Sequence, residues 1–120
     1  MAYVHPEALV STEWLAAHLE DSDLRVIDGS FKMPGVTPPA IDDYRARHIP
    51  GAVYFDIDRI ADHRSSLPHM LPGEAARAAS MSELGIGDSD MGVVEDAAGL
   101  VSAARAWWML RAFGHKRVAI

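Results

Sequence analysis

Apolar positions along this chain recur in two periods, and turn residues mark where one period gives way to the other. Trp14, Leu15 and Leu19 fall on one side of a helix that Ser11 can cap and whose first turn holds Glu13. Leu24-Arg25-Val26-Ile27-Asp28-Gly29 is a short apolar run closed by a turn signal, which predicts a strand. Three prolines and a glycine in residues 33–39 predict a loop. Residues 42–47 suit a short helix that Pro50 stops, and Ala52-Val53-Tyr54-Phe55 a second strand. A polar, proline-bearing loop over 63–73 leads to a helix over 74–84 with Gly85 at its C-terminal cap. Met91-Gly92-Val93-Val94 reads as a third strand, weakened by its glycine. A loop of small residues over 96–102 follows, then a strongly apolar helix over 103–113 that Gly114 ends. Arg117-Val118-Ala119-Ile120 begins a fourth strand. Strands alternating with helices predict an α/β fold with a parallel sheet flanked by helices.

Composition narrows the function classes. A length of 120 residues predicts one domain over 1–120. Hydrophobic residues at 49% and charged residues at 23% describe a globular chain. Eleven Lys and Arg against 17 Asp and Glu leave a net charge of −6, which gives nucleic acid no electrostatic reason to bind. No apolar stretch approaches the roughly 20 residues of a membrane-spanning helix. The start lacks a signal-peptide pattern, so a cytoplasmic location is expected. The chain stops inside an apolar strand, so we expect a domain truncated at its C-terminus, with an open sheet edge and an exposed interface face. There is no cysteine. Disulfides, thiolate metal sites and a cysteine nucleophile are therefore excluded for this chain.

The segment Tyr44-Arg45-Ala46-Arg47-His48-Ile49-Pro50-Gly51-Ala52-Val53-Tyr54-Phe55 resembles the N-terminal signature of rhodanese-type sulfurtransferases. In that signature an aromatic residue is followed, four positions on, by His-aliphatic-Pro-Gly-Ala. Phe55-Asp56-Ile57-Asp58 continues it. Leu67-Pro68-His69-Met70-Leu71-Pro72 is similar to a loop in the first domain of two-domain members. Ser102-Ala103-Ala104-Arg105-Ala106-Trp107-Trp108-Met109-Leu110-Arg111 resembles their Ser-Ala-Pro-Arg-x-Trp-Trp-Met helix. The resemblance runs from about residue 10 to 120 and implies the rhodanese-like fold. It also implies a thiosulfate or 3-mercaptopyruvate sulfurtransferase whose first domain is cysteine-free. Its partners would be a second, catalytic rhodanese domain and small sulfur-containing anions, with no cofactor. Two departures stand out: Glu95-Asp96-Ala97 replaces the family's Tyr-Asp-Gly, and Ala103-Ala104-Arg105 replaces its Ala-Pro-Arg.

Family chemistry passes sulfane sulfur through a cysteine persulfide in a loop at a helix N-terminus, where backbone N–H groups and the helix dipole favour an anion. Asp96 stands near the position where a catalytic domain would carry that cysteine, so Asp96, Gly99 and Ser102 are expected to form a degenerate copy of the active-site loop, with no catalytic residue in this chain. The resemblance further implies that Asp58 orients His69, which then shuttles a proton or binds a substrate carboxylate. The alternative is a solvent-facing histidine beside a turn aspartate. Arg105 is a candidate for anion binding, though an ion pair is the favoured expectation. Trp107 and Trp108 are adjacent, so one is expected in the core and the other near an interface. His63 and His69 lack a third metal ligand at a helpful spacing. Ser102, His69 and Asp58 could compose a hydrolase triad, but no Gly-x-Ser-x-Gly elbow supports it. The competing reading of the whole chain is a stand-alone, cysteine-less rhodanese-like binding or regulatory module.

Overall fold

Local chemistry sets most element boundaries in the computed structural model, which describes residues 3–120. The Ser11 side chain accepts a bond from the Trp14 N–H and so starts α1 (Thr12–His18). α2 (Ala40–Ala46) begins two residues earlier than the pattern suggests, because Pro39, with φ −60°, already holds the N-cap geometry. α3 (Glu74–Leu84) ends where Gly85 turns left-handed at φ 75°. α4 (Ala103–Ala112) stops one residue short of the expected end. The strands are β1 (Leu24–Asp28), β2 (Val53–Tyr54), β3 (Met91–Glu95) and β4 (Val118–Ala119), and a short 3₁₀ turn at Pro6–Ala8 precedes α1. The pattern did not reveal that turn, which is too short to carry a period.

The four strands form one sheet in the order β2-β1-β3-β4, with every pair parallel. This is the parallel α/β sheet flanked by helices that the strand and helix pattern predicts. Alternate residues serve opposite faces. Ile27 and Val94 pack with Ala106, Met109 and Leu110 of α4 and with Met81 and Leu84 of α3. Val26 and Val93 pack on the other face with Leu15 and Trp14 of α1 and Tyr44 of α2. Each large apolar side chain so buried stabilises the fold by roughly 1.5–3 kcal/mol relative to exposure. β1 and β3 are therefore apolar on both faces and read as nearly continuous runs. α3 buries no residue fully, so it covers its face of the sheet loosely.

Two close contacts shape the ends of the sheet. Gly29 leaves β1 against α4, where an added Cβ would stand 3.2 Å from Ala106 Cβ and 3.2 Å from Val94 Cγ1. At the far edge, Ile120 N–H donates to Ala8 O (2.9 Å) and Val10 N–H donates to Ile120 O (2.9 Å). These are the bonds of a parallel ladder, so residues 8–10 line the outer side of β4 at this point. The expected open edge is corrected there, because a segment distant in sequence returns to pair with it. Strand order reverses between β1 and β3. The crevice outside their carboxyl ends is where α/β sheets bind ligands, and the loops carrying Asp58, His69 and Asp96 gather at this end.

Candidate functional site

The loop between β3 and α4 folds around its own carboxylate. Asp96 Oδ1 accepts from the N–H groups of Ala98 (2.9 Å) and Leu100 (3.0 Å), and Oδ2 accepts from Ala103 N–H (2.8 Å) at the start of α4. Burial opposes the charge. Backbone N–H groups of Ala103, Ala98, Leu100 and Val101 outweigh it and hold the carboxyl below its ordinary range. Gly99 and Leu100 take left-handed backbone, at φ 79° and 67°, to close this ring of donors. Ala97 N–H donates to Ser30 Oγ (3.1 Å), which ties the loop to the exit of β1. This ring of N–H donors thus holds a fixed carboxylate. Ser102 lies buried beside it, and its Oγ has no hydrogen-bond partner. The Ser102–His69–Asp58 triad is therefore not assembled.

Asp58 and His69 do meet. His69 Nε2 donates to Asp58 Oδ1 at 2.7 Å, with the side chains 35% and 68% exposed respectively. The backbone of His69 is left-handed, at φ 56°, which is uncommon for a residue with a Cβ. Three contacts hold it: the Asp58 bond, the Phe31 ring edge-on at 5.5 Å, and a bond from Arg105 Nη2 to the His69 carbonyl. A cavity of about 230 Å³ beside Asp58 is lined by Phe31, Lys32, Met33 and Tyr54. A second, of about 350 Å³, lies along Asp62, His63, Leu67 and His69. His63 bonds to the Arg59 carbonyl, and among the described residues no three His, Asp or Glu side chains converge as a metal site.

Within this chain Arg105 bonds a backbone carbonyl. Its guanidinium donates to the His69 carbonyl and lies 5.0 Å from the Trp108 ring, while its Nε is buried without a partner. A backbone carbonyl is the acceptor because the left-handed turn at His69 aims it toward α4. Arg105 thereby joins the 67–71 loop to the first turns of α4. Trp107 packs on the core, and its Nε1–H donates to Val118 O (3.2 Å). Trp108 remains 46% exposed. Leu67, Met70, Leu100 and Val101 are exposed on the same two loops.

Sequence reasoning missed one group at this end. Asp28 of β1 and Glu95 of β3 stand in register on adjacent strands, and Asp28 is only 6% exposed. Burial raises the Glu95 pKa to about 7, with further contributions from Asp28 and Asp96. The signal available in the sequence was an acidic residue at the end of each of two strands. It becomes informative only once β1 and β3 are known to be neighbours.

Comparison with known proteins agrees with this architecture. Residues 11–120 match the family described as Rhodanese-like domain. The chain is 50% identical over 112 residues to thiosulfate/3-mercaptopyruvate sulfurtransferase 1, mitochondrial, of Arabidopsis thaliana, covering 93% of this chain and 30% of that protein. It is 45% identical over 112 residues to 3-mercaptopyruvate sulfurtransferase of Escherichia coli (strain K12), covering 92% of this chain and 40% of that protein. The crystal structure of SseA from Escherichia coli superposes with a TM-score of 0.87 at 44% identity, covering 94% of this chain and 44% of that one. The chain spans well under half the length of these relatives. A family match over nearly all of its length, with the matching sheet and loop layout, means that the chain belongs to the rhodanese-like domain family.

Proposed function

We propose that this domain is the non-catalytic half of a thiosulfate or 3-mercaptopyruvate sulfurtransferase and forms one wall of a cleft whose other wall is a cysteine-bearing rhodanese domain. The observation that carries this reading is the Asp96 carboxylate filling its own N–H cradle in a chain with no cysteine. A carboxylate cannot accept and release sulfane sulfur as a thiolate does. The persulfide must then form elsewhere, on a partner domain. The relatives' greater length leaves room for one. The exposed Leu67, Met70, Leu100, Val101 and Trp108 supply an apolar surface for it to cover.

In that cleft His69 is the group that meets the substrate. With Nε2 committed to Asp58, the ring presents Nδ1 to a small sulfur-containing anion, to hold its carboxylate or to take and return a proton. Arg105 acts through His69 by holding its carbonyl, and so is a positioning residue. The compartment in which this takes place is proposed to be the cytoplasm. The fold contributes only that, among the described residues, no helix is long and apolar enough to cross a membrane.

The test measures sulfur transfer from thiosulfate and from 3-mercaptopyruvate to cyanide, first with the chain alone and then with the chain joined to a cysteine-bearing second domain. Background rates alone and turnover when joined support the proposal. Turnover by the purified chain alone, or a joined protein as active without this domain as with it, overturns it.

A further inference from the structure

We propose that Asp28 and Glu95 form one proton-sharing carboxyl pair that latches the carboxyl ends of β1 and β3 beneath the Asp96 loop, and that loss of the shared proton loosens that loop. The pair follows from strand register. Asp28 faces Tyr54 of β2 on one side and Glu95 of β3 on the other, so the three side chains form a row across a parallel sheet. Residues in register on adjacent strands project from the same face of strands about 4.8 Å apart, and Asp28 and Glu95 line one crevice. Asp28 is buried at 6% exposure. Two ionised carboxylates cannot occupy such a place at low cost, and a proton held between them replaces repulsion with a hydrogen bond.

The surroundings set the balance. Asp28, Glu95 and Ala97 line a crevice of about 320 Å³ whose opposite wall is Arg47, His48 and Ile49, following α2. The titratable and charged groups facing Glu95 are therefore Asp28 from β1, Tyr54 beyond it on β2, Asp96 from the loop, and Arg47 and His48 across the crevice. Asp28 and Asp96 raise the affinity of Glu95 for its proton and His48 lowers it, while burial is the largest influence and raises it.

The mechanical link is covalent and short. Glu95 adjoins Asp96, and its carbonyl accepts from Gly29 N–H at 2.8 Å. Asp28 Oδ1 accepts from Ser30 N–H (2.9 Å), and Ser30 Oγ in turn accepts from Ala97 N–H (3.1 Å). Charge repulsion at the pair thus bears on the two links that tie the start of the 96–102 loop to the sheet. The sign follows from linkage. A carboxyl whose folded pKa lies near 7, above its ordinary 4.5, contributes stability that is complete below 4.5 and lost as pH rises through 7.

The experiment follows the Glu95 side-chain carboxyl by carbon NMR across pH in the full chain, together with amide exchange of residues 97–101. The expected result is a titration near 7 that Asp28→Asn moves down toward the ordinary carboxylate range. Exchange at 97–101, corrected for its intrinsic pH dependence, should accelerate through the same window in the parent chain and not in Glu95→Gln. A Glu95 midpoint in the ordinary range, or one that Asp28→Asn leaves unmoved, overturns the shared proton. Exchange that does not follow the titration overturns the latch. Should Glu95→Gln fail to fold, the parent titration and Asp28→Asn decide both points.

Discussion

His69 Nε2 lies 2.7 Å from Asp58 Oδ1, although the two are eleven positions apart along the chain. The turn between them includes the left-handed backbone at His69 itself, and Arg105 fastens its carbonyl from α4. A partly exposed pair of this kind contributes about 0–1 kcal/mol to stability, too little to explain such an arrangement on stability grounds.

His69→Ala and Asp58→Asn should therefore leave the melting of the chain within about 1 kcal/mol of the parent. In a protein carrying the second domain, either change should lower kcat/KM for 3-mercaptopyruvate by about tenfold or more. Steady-state kinetics beside thermal melts separate the two effects. A loss of stability that matches the loss of activity would return the pair to a purely structural role.

Asp96→Ala removes the acceptor of three backbone N–H groups, including that of Ala103 at the start of α4. The expected cost is about 1–2 kcal/mol, the range for loss of a helix cap. The Asp96 pKa is lowered from 3.8 in the folded chain. Its contribution is thus present above that value and lost as pH falls through the lower folded value. Denaturant melts at neutral and acid pH should show Asp96→Asn losing this acid-dependent part.

Tyr44→Phe tests the signature segment as structure. The Tyr44 hydroxyl donates to Ala52 O at 2.6 Å, and His48 Nδ1–H donates back to Tyr44 O at 2.6 Å with the two rings stacked at 4.1 Å. Loss of the hydroxyl should cost about 1 kcal/mol by chemical denaturation. Sulfur transfer by a joined two-domain protein should be unchanged, since the bond closes a turn.

Gly29→Ala places a methyl group 3.2 Å from both Ala106 Cβ and Val94 Cγ1 and 3.6 Å from Ala103 Cα. Ala106 Cβ is fixed rigidly to α4 and Val94 is fully buried, so neither can yield freely and the change should destabilise the chain by about 1–3 kcal/mol. A denaturant midpoint equal to the parent's would show that α4 can move away from the sheet.

The sequence by itself determined the elements and the absent chemistry. Ser11 caps α1 and Gly85 ends α3 because capping is settled within a few residues of the backbone being capped. The double-faced apolar runs of β1 and β3 follow from strand period and full burial. The lack of any thiol is a matter of composition. Tertiary structure alone decided the partners of groups far apart in sequence. It turned Arg105 toward the carbonyl of His69, set Glu95 beside Asp28, and brought residues 8–10 to the edge of β4. Such contacts depend on which strands become neighbours and on which face each loop returns to. Those choices are made by burial across the whole chain, and no local period records them.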